Sequence, residues 1–410
     1  MTEIVEWLLT DHGQNAIDVA SRARSVSPDP LAVAKCMQRE LDLPTAYRQA
    51  ATLQAELRDK LIARWGEAPR WLLTRDGTEQ ATHPAVRRWR AQRLAALGVQ
   101  RIADLGCGLG FEASSFAAAG LSGYAVERDR EVASVAAVNL RDTAFDVLNF
   151  DVVEDEEATS AVLAEVDAVF VDPARRDPNA PRKADGSSGQ RVGSPSAWSP
   201  SWDWVLATAQ RQPRLVAKVA PGIDKELIPE TAQTTWFSVG GTLVEASVWF
   251  DGFGLRPGAR AIAVDRHGDF AELSDDATGS EALGGVAAFV LDPSPAVTRA
   301  GLVQQLAART GAHRLDPHLA YLSCEAEPED SPLFHTFEVV ESLPFKEAEV
   351  AAALQRAGAR DVQVSARGWG GDVDALTRTL KKGLAGDKVI SLLIARVGDG
   401  HTAILAQRVN

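Results

Sequence analysis

A glycine-rich turn between a short apolar strand and a helix constrains this chain more than any other feature of its sequence. The run Asp104-Leu-Gly-Cys-Gly-Leu-Gly110 closes an apolar stretch that begins at Arg101, and a helical pattern follows at 112–119. Glycines at such a turn let the backbone approach a ligand where a Cβ atom would clash. The turn therefore predicts a ligand pocket at the carboxyl end of a strand in an α/β sheet.

Strands and helices alternate through this part of the chain. Helical patterns separate five strand patterns, which lie at 101–106, 123–129, 145–151, 167–173 and 214–221. Two further strands, 235–241 and 243–250, resemble a closing antiparallel pair. Because such alternation is typical of a parallel sheet covered on both faces, the predicted fold class is α/β with a Rossmann-like sheet.

A chain of 410 residues is too long for one ordinary domain and comfortable for two or three. Residues 1–97 have apolar residues at helical spacing and predict a helical domain, and 98–252 contain the sheet. Beyond residue 252 the alternation becomes less regular, with strand patterns at 260–265 and 286–292 and a helix at 296–309. Residues 330–410 predict a small α+β unit in the order strand, helix, strand, helix, strand, strand.

The distribution of charge is uneven. The net charge of −13 argues against nonspecific binding to nucleic acid. Residues 58–101, however, contain ten basic and four acidic residues, and residues 175–218 contain eight basic and three acidic residues. These two segments are either solvated surfaces or contacts for a polyanion such as RNA.

Cysteine usage and hydropathy limit the cellular context. Cys36, Cys107 and Cys324 lie far apart, which excludes a cysteine-based zinc ribbon and a disulfide framework and fits a reducing compartment. The seven histidines form no metal-binding pattern, so no metal is expected. No apolar run approaches the roughly 18 residues of a membrane span, and no signal peptide is recognisable at the start. We therefore expect a cytoplasmic protein without a membrane partner.

Two ligand classes use a turn of this kind, dinucleotides and S-adenosylmethionine. Glu127 ends the next strand, where a carboxylate can bridge the two hydroxyls of a ribose, and Asp151 ends the third strand, where it suits an adenine amino group. A dinucleotide fold prefers G-x-G-x-x-G without a leading acid. The spacing G-x-G-x-G after Asp104 resembles class I methyltransferases, and in those enzymes the acid serves the amino-acid end of the cofactor.

The same resemblance assigns further residues. It implies that Gly106, Gly108 and Gly110 approach the cofactor, and that Gln80 and Thr82, which precede the first strand, line its pocket. The alternative for Thr82 is a purely structural role, in a turn that caps the helix beginning at Pro84.

The end of the fourth strand faces the methyl group in class I methyltransferases, and here it contains Asp172 and Pro173. We expect Asp172, Pro173 and Lys218, at the end of the fifth strand, to be catalytic, with a side chain that extends to the surface as the alternative for Lys218. Enzymes that act on nucleobase amino groups carry an aromatic residue after Asp-Pro, but this chain has Arg175 and Arg176. Because arginine forks suit phosphate, these two arginines are expected to bind the substrate, with a solvated loop as the alternative.

The D-P-x-R pattern also resembles the RNA 5-methyluridine methyltransferases, which use a cysteine nucleophile shortly downstream. This chain has no cysteine between Cys107 and Cys324. Cys324 follows a serine, as in those enzymes, but it lies about 150 residues beyond Asp172. We therefore expect Cys324 to be a buried strand residue and Cys107 to have a packing role.

Several stretches together resemble one family. They are LLTRDGTEQATHP (72–84), ADLGCGLG (103–110), VDPARRD (171–177), VAKVAPGID (216–224), LDPSPAVTRAGLV (291–303) and LDPHLAYL (315–322). The chain is similar, over about 70–410, to the uncharacterised bacterial class I S-adenosylmethionine-dependent methyltransferases with a THUMP-like C-terminal domain. The resemblance implies a ferredoxin-like small domain at 253–329 and a THUMP-like domain at 330–410.

THUMP domains occur in RNA-modifying enzymes, so the resemblance implies methyl transfer to RNA, such as tRNA or rRNA. Two alternatives remain open at this stage. One is a protein that binds S-adenosylmethionine and RNA without turnover, and the other is a methyltransferase for small molecules or proteins.

Overall fold

The computed structural model describes residues 2–66, 68, 71–174 and 197–409. The chain divides into two compact units, Met1–Lys218 and Val219–Asn410. Among the described residues, none of the helices combines the length and the apolar character that crossing a bilayer requires.

The first unit begins with helices. Asp29 accepts hydrogen bonds from the amides of Leu31 and Ala32 and so caps the helix that has Pro30 at its first position. The apolar faces of the N-terminal helices share a core around Ile17, Leu57 and other buried residues. The helices are α1 (Thr2–Leu9), α2 (Asp11–Val26), α3 (Pro30–Glu40), α4 (Thr45–Trp65), α5 (Arg75–Gln80) and α6 (Pro84–Ala96).

A parallel sheet follows in the same unit. Its strands are β1 (Arg101–Leu105), β2 (Ser122–Val126), β3 (Phe145–Leu148), β4 (Ala168–Val171) and β5 (Leu215–Val219). The helices between them are α7 (Phe111–Ala118), α8 (Arg130–Leu140), α9 (Glu156–Ala164) and α10 (Trp202–Arg211). The strand order is β3-β2-β1-β4-β5, with every pair parallel. This arrangement confirms the predicted α/β fold and brings the carboxyl ends of β1, β2, β4 and β5 to one edge of the sheet.

The second unit contains two groups of strands. In the first group, β6 (Gln233–Val239) pairs antiparallel with β7 (Thr242–Trp249), as the sequence predicts, and parallel with β8 (Gly258–Val264), which pairs with β9 (Phe270–Ser274). The second group is a sheet of seven strands. They are β10 (Phe289–Pro293), β11 (His313–Arg314), β12 (Leu322–Cys324), β13 (Phe334–Pro344), β14 (Ala359–Arg367), β15 (Lys388–Val397) and β16 (Gly400–Arg408).

That sheet has the order β11-β12-β10-β13-β16-β15-β14. The helices of this unit are α11 (Pro295–Ala300), α12 (Val303–Thr310), α13 (Glu347–Arg356) and α14 (Val373–Leu380). From β13 onward the elements follow the predicted order of strand, helix, strand, helix, strand, strand. The apolar residues of α13 and α14 pack on the sheet in one core cluster with residues of β14, β15 and β16.

The structure corrects one predicted helix. Residues 296–309 do not form a single helix, because α11 ends at Gly301, whose φ of +83° is left-handed. The Leu302 amide then bonds back to the carbonyl oxygen of Val297 at 3.0 Å, and α12 starts afresh at Val303. A glycine in this conformation is a common way to end a helix.

The strand pairing does not follow two of the predicted domain boundaries. Within the predicted small domain at 253–329, β8 pairs with β6, whereas β10 pairs with β13. The boundary near residue 97 is also crossed by a shared core, because Leu109 and Phe111 pack in one cluster with the N-terminal helices. The four domains at 1–97, 98–252, 253–329 and 330–410 remain a prediction.

Candidate active site

The turn after β1 has the backbone that its glycines make possible. Gly106, Gly108 and Gly110 have φ values of +89°, +54° and +87°, a region that other residues adopt rarely. A Cβ atom at Gly110 would lie 2.9 Å from the Leu140 side chain. The amides of Gly106 and Cys107 both donate to the carbonyl oxygen of Val126, at 2.9 and 3.0 Å. The turn is therefore tied to the end of β2.

Glu127, the residue after β2, is held by the turn. Its Oε2 accepts a hydrogen bond from the Gly108 amide at 3.1 Å, and its Oε1 accepts one from the Asp129 amide at 2.9 Å. Asn149 donates from Nδ2 to the carbonyl oxygens of Glu127 and Arg128, at 2.8 and 3.0 Å. Asn149 was not among the residues expected from the sequence, although its place just after β3 is a usable signal. The half-buried Glu127 carboxylate is thus fixed at the edge of the turn.

Asp104 is buried beneath the turn and has spare acceptor capacity. Its Oδ2 accepts from the Ala113 amide at 3.2 Å. Among the described residues, Oδ1 has no hydrogen-bond partner. Burial raises the pKa of Asp104 well above its usual value, and the nearby carboxylates of Glu112 and Asp172 raise it further. A cationic group placed against Oδ1 would relieve this, so the site fits an ammonium-bearing ligand.

A buried ion pair lies next to Asp104. Nη1 of Arg90 lies 2.5 Å from Oε1 of Glu112, and Arg90 is fully buried. Burial raises the pKa of Glu112, but Arg90, followed by Lys218, more than offsets this, so that the pKa is lowered overall. Oε2 of Glu112 has no hydrogen-bond partner among the described residues. The sequence analysis missed this pair, because Arg90 belongs to the basic segment 58–101.

That basic segment is partly neutralised inside the unit. Besides Arg90, Arg75 and Lys60 both lie within 3.0 Å of Oε1 of Glu56. Arg101 forms a longer ion pair with Glu165, at 3.7 Å. The excess of basic residues at 58–101 therefore does not by itself indicate a surface for a polyanion.

The ends of β4 and β5 bring a carboxylate and an ammonium group together. Nζ of Lys218 forms an ion pair with Oδ2 of Asp172 and donates to Oγ1 of Thr82 at 3.1 Å. Only 7% of the Lys218 side chain is exposed, against 29% for Asp172. Lys218 thus points inward from the strand end, and Asp172 presents its carboxylate at the more accessible side, followed by Pro173.

The segment before β1 covers the glycine turn. Asn139 on α8 donates from Nδ2 to the carbonyl oxygens of Leu72 and Leu109, each at 3.1 Å. A Cβ atom at Gly77 would lie 2.5 Å from the Leu109 side chain, so α5 lies directly against the turn. Thr82 follows α5 and meets Lys218, whereas Gln80 is exposed at the end of α5.

Asp151 does not end the third strand as predicted, since β3 ends at Leu148. Its Oδ1 accepts from the Val153 amide at 2.8 Å, and its Oδ2 lies 3.6 Å from Nη1 of Arg128. The pairing of β3 with β2 stops at Leu148, and the side chain of Asp151 instead accepts a hydrogen bond from the backbone of its own turn. Asp151 is still on the loop that follows β3, with 23% of its side chain exposed.

Residues 175–196 lie outside the described part of the chain, and the predicted substrate residues Arg175 and Arg176 are among them. The residues that flank this segment are paired. Ala174 and Ser199 exchange backbone hydrogen bonds of 2.8 and 3.0 Å. Nη1 of Arg128 also donates to Oγ of Ser199 at 2.8 Å. Ala174, two residues after Asp172, therefore lies beside Ser199, and Ser199 also contacts Arg128 after β2.

Cys107 and Cys324 are both buried. Burial raises the pKa of Cys107 well above its usual value, as expected for a packing residue. Cys324 lies on β12 opposite Phe289, in the seven-stranded sheet of the second unit. Burial raises the pKa of Cys324 as well, so its thiolate form is disfavoured.

Comparison with known proteins adds a family context. The THUMP domain-like family model matches residues 334–408. Two proteins of Mycobacterium tuberculosis, from strains CDC 1551 / Oshkosh and ATCC 25618 / H37Rv, are named uncharacterized S-adenosylmethionine-dependent methyltransferases. Each is 30% identical over 338 residues, which cover 80% of this chain and 86% of the relative.

A solved structure has a similar fold over nearly the whole chain. It is a crystal structure from Porphyromonas gingivalis W83, described as a candidate methyltransferase. The TM-score is 0.70 at 18% identity, and the alignment covers 97% of this chain and 99% of that one. At this identity, the likeness concerns the fold alone.

Proposed function

The chain belongs to the family of S-adenosylmethionine-dependent methyltransferases that includes its mycobacterial relatives, and we propose that its methyl acceptor is RNA, such as tRNA or rRNA. It is an enzyme, and S-adenosylmethionine is its cofactor. One observation carries the choice of RNA, namely the THUMP domain-like match at residues 334–408. THUMP domains occur in RNA-modifying enzymes, so this segment supports a role in placing RNA.

The cofactor would be held at the edge formed by β1, β2 and β3. Glu127, already fixed by the Gly108 amide, would accept hydrogen bonds from the ribose hydroxyls. Asp104 offers its spare Oδ1 to the amino group, and Asp151 would accept from the adenine amino group. The glycines keep the turn open for a close approach, and the segment with Gln80 and Thr82 would line the pocket. Bound S-adenosylmethionine supplies an electrophilic methyl group on a sulfonium.

Asp172 would orient the acceptor and accept its proton, and Pro173 would shape the strand end beside it. The ion pair with Lys218 supports this role, because it holds the Asp172 carboxylate in one orientation at the strand end. Lys218 in turn is anchored by Thr82. The chain's contribution to the transfer would then be positioning and electrostatics rather than covalent catalysis.

Arg175 and Arg176 would hold the RNA backbone beside this site. They follow Asp172 by three and four residues, and Ala174 is anchored by its pairing with Ser199. An arginine pair there can form forked hydrogen bonds with phosphate without reading sequence. With both changed to alanine, we expect unchanged affinity for S-adenosylmethionine. The slope of log RNA affinity against log salt should shrink by about one per lost phosphate contact.

The decisive experiment compares modified nucleosides in RNA from a deletion strain and its parent by mass spectrometry. The proposal expects one methylated nucleoside to disappear and to return with the wild-type gene but not with Asp172→Asn. Transfer of a labelled methyl group from S-adenosylmethionine to total RNA should follow the same pattern. An unchanged nucleoside profile together with methylation of a protein or small-molecule fraction would overturn the RNA assignment. The net charge of −13 is the feature that favours such an acceptor.

A further inference from the structure

Two of the sequence blocks quoted above have no role in the site described so far. They are LDPSPAVTRAGLV (291–303) and LDPHLAYL (315–322). Within the second unit, the structure brings both blocks to one cavity of about 660 Å³. Its lining includes Thr298, Gly301 and Val303 from the first block and Leu319 from the second, together with Arg314 and Arg367. Arg367 lies inside the THUMP domain-like match.

The two arginines present cationic groups to this cavity. Nη1 of Arg314 donates to the carbonyl oxygen of Pro317 at 3.0 Å, while its buried Nε has no hydrogen-bond partner among the described residues. Nε and Nη2 of Arg367 both bond to Oδ1 of Asp292, at 3.0 and 2.7 Å. The Arg367 guanidinium also lies 5.2 Å from the centre of the Tyr321 ring. Guanidinium groups held in this way are suited to an anion such as phosphate.

The nearby carboxylates are already engaged. Asp292 is paired with Arg367, and 20% of its side chain is exposed. The carboxylate of Asp316 accepts hydrogen bonds from the amides of His318 and Gly398, at 2.8 and 2.9 Å. These hydrogen bonds and the ion pair reduce the repulsion that either acid would exert on an anion, and Arg314 is left as the cation without an acidic partner in this lining.

The start of α12 adds backbone donors. Val303 is the first residue of this helix, and no side chain caps it at Leu302. The amides of a first helical turn lack intrahelical acceptors, and together with the helix dipole they favour a phosphate group. Val303 and Gln304, from that first turn, both line the cavity beside Arg314. The arginine and the helix start therefore present donors to the same space.

Part of the remaining lining is apolar, and the volume exceeds that of a lone anion. Pro317, Leu319 and Ala320 supply apolar surface, and a cavity of about 660 Å³ is within the range of small-molecule sites. We propose that this cavity binds one ribonucleotide, with its phosphate on Arg314 and the start of α12 and its base or sugar against Leu319. The inference rests on the proposed function for the source of this ribonucleotide, because RNA would supply it. A free nucleotide has the same chemistry.

Titration calorimetry on the full chain tests the cavity directly, with AMP and adenosine as probes. Saturating S-adenosylhomocysteine occupies the cofactor site in every titration, so that binding there does not contribute. AMP should bind at least about tenfold more tightly than adenosine, the scale of a charge-assisted hydrogen bond. A short single-stranded RNA that competes with AMP would identify RNA as the source, and AMP binding without such competition would identify a free nucleotide.

Val303 offers a matched pair of variants. Val303→Glu places a carboxylate in the cavity at a helix start, where acidic residues stabilise the helix, so the variant should fold. It should weaken AMP binding about tenfold or more, because its charge repels the phosphate, while Val303→Gln should keep it within about twofold. Equal binding of AMP by both variants, or equal binding of AMP and adenosine by the wild type, would overturn the proposal.

The outcome for this cavity is separable from the outcome for the RNA acceptor. If RNA methylation is absent but AMP binding distinguishes the two Val303 variants, the proposed acceptor is wrong and the cavity assignment stands. If RNA is methylated and AMP does not bind, the cavity assignment is wrong and the proposed function stands.

Discussion

The backbone amide of Gly108 donates a hydrogen bond of 3.1 Å to Oε2 of Glu127. It joins the turn after β1 to the residue after β2, and it holds the carboxylate in place before any ligand arrives. Glu127 therefore does not have to be ordered when a cofactor binds, and the entropy cost of binding is lower.

Glu127→Ala should weaken S-adenosylmethionine binding by about 1–3 kcal/mol, because it removes an acceptor for the ribose hydroxyls. Calorimetry measures this, with Glu131→Ala as the control, since Glu131 is exposed on the neighbouring helix. The wild type should bind S-adenosylmethionine more tightly than NAD. If the Glu127 and Glu131 variants bind S-adenosylmethionine with equal affinity, Glu127 does not contribute to the cofactor site.

Lys218→Met should lower the rate of methyl transfer by about 10²-fold, because Asp172 then loses the ion pair that positions its carboxylate. Thr82→Val should have a smaller effect, near 1 kcal/mol, since it removes one hydrogen bond to Lys218. The exposed Lys35 on α3 provides a control in Lys35→Met. Single-turnover kinetics with saturating cofactor measures the rate for each variant, and the loss should be largest for Lys218→Met and smaller for Thr82→Val. Full activity of the Lys218 variant would contradict its assignment to the catalytic site.

Arg90→Met should destabilise the first unit by about 3–5 kcal/mol, because Glu112 remains buried without its cation. Arg88→Met, on the exposed side of the same helix, should change stability by no more than about 0.5 kcal/mol. Urea unfolding gives both values. Adding Glu112→Gln to Arg90→Met should recover part of the loss, and a further loss in that double variant would argue against the ion pair.

The raised pKa of Asp104 predicts a pH dependence of stability in the cofactor-free protein. Burial favours the protonated carboxyl in the folded state, so the contribution of Asp104 to stability is most favourable at low pH and falls as pH rises from the ordinary 3.8 toward the raised folded value. Asp104→Asn removes this penalty. Its stability advantage over the wild type should therefore grow with pH, whereas Asp146→Asn, at an exposed position, should show no such trend. Urea unfolding from pH 5 to pH 8 measures the stability of both variants and of the wild type. If the stability advantage of Asp104→Asn shrinks as pH rises, the predicted direction is wrong.

Cys324→Ala should keep methyl transfer within about twofold of the wild type, because burial disfavours the thiolate that a nucleophile requires. RNA containing 5-fluorouridine should form no covalent adduct with the wild type. A folded but inactive Cys324 variant, or a trapped adduct, would revive the 5-methyluridine mechanism. Cys36→Ala, at an exterior helix position, serves as the control.

The sequence predicted the parallel sheet and placed Glu127, Asp172 and Lys218 at or directly after the ends of three strands, because strand periodicity is local information. It did not predict the Arg90 and Glu112 pair. A charged residue in an amphipathic helix resembles a solvated one until the packing partner is known. The helix break at Gly301 was also missed, since a single glycine is tolerated within a helix and its left-handed conformation depends on tertiary contacts.

The pairing of Ala174 with Ser199 has a consequence for how this enzyme can diversify. The hydrogen bonds between Ala174 and Ser199 fasten the chain after β4 to the chain before α10, so these two flanks hold each other in place by their own backbone contacts. The proposed acceptor contacts can then be varied by exchanging residues 175–196 as one block, while the residues proposed to bind the cofactor are left untouched.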